Sequence, residues 1–383
     1  MKRAPTFSQL TDAYLFQEVL DRANIFQKKH PHVEILSLGV GDTTEPLIPQ
    51  VTERLTTFSS AMGERKTYRG YGPEQGLVEL RKEIASVLYN NRYSHDEIFI
   101  SDGAKCDISR LIQLLTYNGS VAIQDPTYPC YVEISALCAQ ASITYLTGIP
   151  DLSQAPRSSL IFLCNPNNPT GTAFTYEQLE TMVNTARERK QLIMIDVAYR
   201  SFIQDDLPRS IYEIPGADQV AIEIGSFSKM AGFSSLRLGW TVVPHALVYD
   251  DGSSVHEDVL RLYNSLFNGA PILSQEAAIA ALSPNGRKAL QKQTESYLQR
   301  TRQLREALTP RFPSVQGGTH CPYLWVRTEQ TSSWEAFDYF LEKAHLIVMP
   351  GIGFGPGGEG FVRVSGFPRQ EIIDKACRNI ETL

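Results

Sequence analysis

The stretch Ile98-Phe99-Ile100-Ser101-Asp102-Gly103-Ala104-Lys105 decides the fold. A short apolar run of strand character enters a glycine turn, and the spacing that follows predicts a helix over 106–117. The same unit recurs downstream. Val121-Ala122-Ile123 reads as a strand, and Asp125-Pro126-Thr127-Tyr128-Pro129 opens another helix. Residues 143–146 and 160–163 are apolar runs of strand length. A helix over 175–190 precedes strands at 192–195 and 220–222. Alternation at this spacing implies βαβ units, an α/β fold and a mostly parallel sheet with both faces covered. Such sheets bind ligands beyond the carboxyl ends of their strands. Residues 103–105, Asn168, Asp196 and 226–229 all fall just after predicted strands.

Working outward, an amphipathic helix is predicted over 14–29 and an apolar strand over 35–38, which runs into a glycine turn at 39–42. Helices at 50–60 and 77–90 flank a loop rich in glycine and aromatics, Tyr68-Arg69-Gly70-Tyr71-Gly72-Pro73-Glu74-Gln75-Gly76. After residue 255 the pattern changes to helices at 256–266 and 272–308, broken by Pro284-Asn285-Gly286. The tail alternates again, with strands at 323–326, 346–348 and 361–365, a helix at 334–344, a glycine-rich run at 351–360 and a final helix. The expected division is an N-terminal arm with part of a small domain (1–48), a large domain (49–270), and a long connecting helix with a smaller α+β domain (271–383).

Composition excludes several classes. The net charge of −6 does not suit nucleic acid or an anionic membrane surface as a main partner. No apolar run approaches the roughly 18 residues of a spanning helix, and Met1-Lys2-Arg3-Ala4-Pro5-Thr6 lacks the apolar stretch of a signal peptide. The six cysteines are scattered without a Cys-x-x-Cys pair, and the seven histidines form no spaced cluster. Free thiols in a reduced, cytoplasmic compartment are expected, and metal catalysis has no support.

Three fragments carry chemistry: Asn165-Pro166-Asn167-Asn168-Pro169-Thr170-Gly171, Asp196-Val197-Ala198-Tyr199, and Ser226-Phe227-Ser228-Lys229 followed by Arg237. In this order they read as a site for pyridoxal 5′-phosphate, which needs an amine, an anion cradle and a buried carboxylate together. Lys229 is the candidate to condense with the cofactor's aldehyde and to act as acid and base. Ser226, Ser228 and Arg237 form a phosphate cradle, joined by the helix start at Ala104 and Lys105. Asp196 would pair with a protonated pyridine nitrogen. Tyr199 and Asn168 could reach the ring's phenolic oxygen, and Tyr128 could stack on its face. Arg363, amid Phe361, Val362 and Val364, needs an anionic partner, and a substrate α-carboxylate is the sharp reading. Taken singly, each fragment also fits a blander role: a solvated lysine, an ordinary helix start, an aspartate cap, a core tyrosine, a structural ion pair.

Together these motifs and the late arginine resemble the class I/II, fold-type I pyridoxal phosphate aminotransferases over nearly the whole chain. The resemblance implies a seven-stranded, mostly parallel sheet in the large domain. It also implies a homodimer with active sites at the subunit boundary, where Tyr71 reaches the phosphate of the partner's cofactor. A narrower similarity within the family is carried by Tyr14-Leu15-Phe16, residues 38–47, 70–76, 101–105, 226–239, Phe267-Asn268-Gly269 and the glycine-rich run at 353–360. It implies amino-group exchange between LL-2,6-diaminopimelate and 2-oxoglutarate. By the same resemblance Tyr14, Gly41, Lys105, Asn268 and Arg363 contact substrate, and Glu74 comes from the other subunit to meet the distal ammonium. An aminotransferase of other specificity, such as aromatic or alanine type, and a lyase on the same fold remain as alternatives.

Overall fold

The computed structural model describes residue 6 and residues 15–115, 119–139 and 141–383. Seven strands form the large sheet: β1 (Ile98–Ser101), β2 (Ser120–Asp125), β3 (Ser142–Thr147), β4 (Leu160–Cys164), β5 (Leu192–Asp196), β6 (Ala221–Ser226) and β7 (Gly239–Val242). Their order is β1-β7-β6-β5-β4-β2-β3. Strands β2 to β6 pair in parallel, and β7 runs antiparallel to both its neighbours. Strands β1, β2, β4 and β6 are buried along their whole length, which explains their continuous apolar runs. In the edge strand β3 only Leu146 is fully buried, and serine and threonine flank or interrupt its apolar residues.

Alternate residues of these strands enter two separate cores. Ile98, Ile100, Ile161, Leu163, Ile193 and Ile195 face one helical layer, and Phe99, Leu160, Phe162 and Met194 face the other. The first layer includes α1's successors α2 (Pro49–Met62) and α3 (Val78–Tyr89); α1 itself (Leu15–Lys29) packs elsewhere. The second layer includes α4 (Ala104–Leu115), whose start lies two residues before the expected one because Gly103, at φ +119°, makes the turn alone.

Strand β7 was not expected from the sequence, and it has a consequence. Gly239 is level with Ser101 on one side and Ser226 on the other. The antiparallel strand therefore starts at the edge where β1 and β6 end, and Arg237, two residues earlier, is delivered to that edge. A Cβ at Gly239 would lie 2.9 Å from the Gly225 carbonyl oxygen and 3.0 Å from the Ala104 nitrogen, so only glycine permits this approach.

A second, antiparallel sheet follows, built from β8 (Ser314–Gly317), β9 (Tyr323–Arg327), β10 (Met349–Pro350) and β11 (Phe361–Ser365) in the order β10-β11-β9-β8. Its core takes Val19 from α1 together with Leu324, Val326, Phe337, Val362 and Val364. Leu36–Ser37 pairs in parallel with Leu346–Ile347 in a separate two-stranded sheet, and the Ser365 N–H donates to the Leu38 carbonyl at 2.8 Å, which ties the segment before residue 42 to β11. The break expected at Pro284-Asn285-Gly286 is present: the run over 272–308 is two helices meeting at Ser283, Ile272–Leu282 and Pro284–Leu308, where the Ser283 hydroxyl caps the second and Pro284 occupies its first turn. The longer helix puts Leu290 into the large core and Leu304 and Leu308 into the second, so it spans both. Among the described residues no helix is long and apolar enough to cross a membrane.

Candidate active site

A cavity of about 350 Å³ opens at the carboxyl ends of the large sheet's strands, against the second sheet. Asp196 ends β5, Ser226 ends β6, Asn168 follows β4, and Ala104 and Lys105 begin α4 after β1. Lys229, Ser228, Arg237, Tyr128 and Tyr199 line the same cavity, and Gly41 and Arg363 reach it from the second sheet's side. A larger groove of about 800 Å³ lies between α3, residues 200–213 and the helices after residue 281. Its lining mixes both charges and holds none of the candidate cofactor or substrate residues, so the smaller cavity is the candidate site.

Lys229 is largely buried. Its Nζ donates to the Gly41 carbonyl oxygen at 2.6 Å and lies 3.5 Å from Asp42 Oδ1. Burial pushes the ammonium below the ordinary lysine range; Asp42 opposes this, while Arg363 and Arg237 add to it. Burial disfavours the Asp42 carboxylate, but the Ser234 hydroxyl, the Lys229 charge and the Thr43 N–H outweigh it and hold the group below the usual range.

Asp196 lines the cavity and accepts hydrogen bonds from the Ala198 N–H (2.9 Å) and the Tyr131 hydroxyl (2.8 Å). Burial raises its pKa, and those two donors offset only part of the shift. No cation pairs with this carboxylate among the described residues. A protonated ring nitrogen would supply one.

The anion cradle has its parts in place. Arg237 Nη1 donates to the Ser228 hydroxyl (3.4 Å) and to the Ser234 carbonyl (3.1 Å). A Cβ at Gly103 would collide with the Arg237 guanidinium, so glycine lets the arginine lie over the start of α4. The first N–H groups of that twelve-residue helix have no partners within it.

Arg363 is 2% exposed, in register with Trp325 at the centre of the second sheet. Its Nη1 donates to Asn168 Oδ1 at 2.7 Å and its Nη2 to the Gly39 carbonyl at 2.6 Å. Both acceptors are neutral, Nε has no acceptor, and no carboxylate pairs with the guanidinium among the described residues. The rings of Tyr323 and Phe354 lie 4.4 and 4.8 Å from its Cζ. The charged groups lining the cavity are Lys105, Lys229, Arg237 and Arg363 against Asp42 and Asp196. This excess of cations suits a ligand set with at least two anionic groups.

Three residues that the resemblance implies lie outside the cavity of one chain. Tyr71 is 89% exposed, and Glu74 and Asn268 are also exposed. They lie in neighbouring segments: a Cβ at Gly269 would be 3.0 Å from the Pro73 carbonyl oxygen. Tyr14 falls outside the described residues. Sequence reasoning missed Tyr131, Tyr323 and Asp42. Tyr323 is 1% exposed, shares a hydrogen bond with the Tyr199 hydroxyl (2.8 Å), and would collide with any side chain at Gly41. Burial pushes its phenol up to about 12 although the Arg363 charge opposes this. Tyr131 follows Tyr128 at a helical spacing of three, the one local sign that it shares the site.

The chain belongs to the class I and II aminotransferases, whose family model matches residues 33–380. This family works with pyridoxal 5′-phosphate. The chain is 43% identical, over its full length and 97% of the relative's, to an LL-diaminopimelate aminotransferase of Protochlamydia amoebophila. It is 43% identical over its full length to the chloroplastic LL-diaminopimelate aminotransferase of Arabidopsis thaliana, covering 87% of that protein. The solved L,L-diaminopimelate aminotransferase of Chlamydomonas reinhardtii superposes with a TM-score of 0.94 at 42% identity, covering all of this chain and 98% of that one.

Proposed function

We propose that this chain binds pyridoxal 5′-phosphate in the cavity and exchanges an amino group between LL-2,6-diaminopimelate and 2-oxoglutarate. In the biosynthetic direction glutamate aminates tetrahydrodipicolinate, on the way to lysine and peptidoglycan precursors. The observation that carries the reading is Arg363, a buried guanidinium without a carboxylate partner among the described residues, facing the same cavity as a buried lysine. When bound, the cofactor supplies an electron sink for the charge left as a proton leaves the substrate's Cα.

The residues divide the work. Asp196 holds the ring nitrogen protonated, Asn168 and Tyr199 address the phenolic oxygen, and Tyr128 covers a ring face. The N–H groups at Ala104 and Lys105, with Ser226, Ser228 and Arg237, hold the phosphate. Arg363 grips the α-carboxylate, which fixes the substrate's Cα near Lys229. The depressed pKa of Lys229 favours its free amine, the form that can accept a proton.

The two donors differ at the far end. Diaminopimelate carries a carboxylate and an ammonium there, glutamate only a carboxylate. A site serving both needs donors such as Lys105, Tyr14 and Asn268 and one acceptor, Glu74. Tyr71 and Glu74, exposed in one chain, are proposed to complete the cavity of a second copy in a homodimer. A cytoplasmic setting goes with this reading and rests on the free thiols found at all six cysteines.

The test uses cofactor-loaded protein with LL-diaminopimelate and 2-oxoglutarate. The reading expects one glutamate formed per donor consumed. Loss of donor at the same rate without 2-oxoglutarate would instead identify a lyase.

A further inference from the structure

The glycine-rich run Gly351–Gly360 has no part in the chemistry above, and one buried carboxylate explains two of its glycines, Gly355 and Gly357. Asp125, the last residue of β2, is 1% exposed and pairs with no cation among the described residues. Its Oδ2 and Oδ1 accept from the Gly357 N–H at 2.8 and 3.1 Å, and Oδ2 also accepts from the Thr147 hydroxyl at 3.1 Å. Burying an unpaired carboxylate is unfavourable unless hydrogen bonds compensate it. The contact therefore needs the N–H of a loop from the other sheet to come very close.

Glycine makes that approach possible. A Cβ at Gly357 would lie 2.7 Å from Asp125 Oδ2, and one at Gly355 (φ +121°) would collide with Oδ1. A second bond beside the first joins the same segments, the Thr127 N–H donating to the Phe354 carbonyl at 2.8 Å. Phe354, 2% exposed, thereby has its ring held 4.8 Å from Arg363 Cζ. On the other side of the contact, Asp125 precedes Tyr128 of the cavity by three residues.

We propose that Asp125 is a positioning residue for carboxylate binding: by gripping the Gly357 N–H it sets Phe354 against Arg363 and holds that guanidinium in register with the large sheet. This rests on the reading of Arg363 as the carboxylate group's partner. Asp125 itself touches neither ligand.

The test measures binding of glutarate, a dicarboxylate without amino or keto group, to the cofactor-loaded protein by calorimetry, alongside KM and kcat for 2-oxoglutarate. Asp125→Ala should weaken glutarate binding and raise KM by ~10–100-fold, the loss expected for a buried hydrogen bond to a charged group. Cofactor affinity should stay within about 3-fold, and Asp125→Asn, which keeps an acceptor oxygen, should recover most of the loss. Gly357→Ala provides an independent variant if Asp125→Ala does not fold, and should show the same selective loss. Unchanged glutarate binding in these variants, or equal loss of glutarate and cofactor, would overturn the proposal while leaving Arg363 in its role. Absence of glutarate binding by the wild type would remove the Arg363 reading and this proposal with it.

Discussion

Replacing Arg363 with lysine keeps the charge and removes the fork. In the structure the guanidinium uses Nη1 on Asn168 and Nη2 on Gly39, its Nε has no acceptor among the described residues, and the rings of Tyr323 and Phe354 lie close to it. A lysine ammonium is a point donor and cannot serve both neutral acceptors and a carboxylate at once. One charge-assisted hydrogen bond to the carboxylate is lost, about 1.5–3 kcal/mol, and the stacking on Tyr323 and Phe354 weakens by about 0.5–1 kcal/mol. The sum, about 2–4 kcal/mol, corresponds to ~30–1,000-fold in kcat/KM for glutamate and for 2-oxoglutarate. Steady-state kinetics on the cofactor-loaded variant measures this, with visible absorbance reporting cofactor occupancy. A fall in kcat/KM of less than about 3-fold, or a loss of occupancy larger than the kinetic loss, would refute the assignment.

Lys229→Ala should abolish turnover together with the visible absorbance of the loaded protein; persistence of that absorbance would move the attachment to another lysine. Asp196→Asn should act oppositely on the two forms of the protein. Burial raises the carboxyl's pKa in the ligand-free protein, so its contribution to stability is full below the ordinary aspartate pKa and lost as pH rises through the raised value. The asparagine variant should therefore melt about 1–3 °C above wild type at pH 8 without cofactor, with the gap closing towards pH 4. Cofactor loading should reverse the sign, and a variant destabilised equally in both forms would contradict the pairing with a ring cation. Glu74→Ala should lower kcat/KM for LL-diaminopimelate ~10–100-fold more than for glutamate, since only the former presents a distal ammonium. Equal loss for both donors would remove Glu74 from specificity.

Much of the site was legible because its residues sit at the ends of strands. Asp196 and Lys229 follow buried apolar runs, and the alternating pattern alone put them on one edge of a parallel sheet. Arg363 was legible as a charge at a strand centre, although its lack of a carboxylate partner among the described residues was not. Strand β7 escaped because Gly239-Trp240-Thr241-Val242 opens on glycine and is interrupted by threonine, without the continuous apolar run of Ile98-Phe99-Ile100, and with it went the reason Arg237 returns to the edge. Tyr323 was hidden for a different reason: its meeting with Gly41 and Tyr199 depends on how the two sheets pack, a contact across 282 and 124 positions that no local spacing encodes. The glycines at 355 and 357 showed only as part of a glycine-rich run, whereas each makes room for the oxygens of Asp125, 230 and 232 positions away. Tyr71, Glu74 and Asn268 were named through resemblance, and nothing in the cavity of a single chain would have found them.

The central claim is the pairing of amino-transfer chemistry with a substrate charged at both ends. The measurement that tests it most directly is kcat/KM of the cofactor-loaded protein for LL-diaminopimelate with 2-oxoglutarate, set against the meso and DD isomers and against alanine and phenylalanine. The account predicts that the LL isomer leads every monoamino donor by at least ~100-fold, the scale of a paired distal ammonium with its hydrogen bonds. Alanine or phenylalanine reacting as fast as LL-diaminopimelate would contradict it.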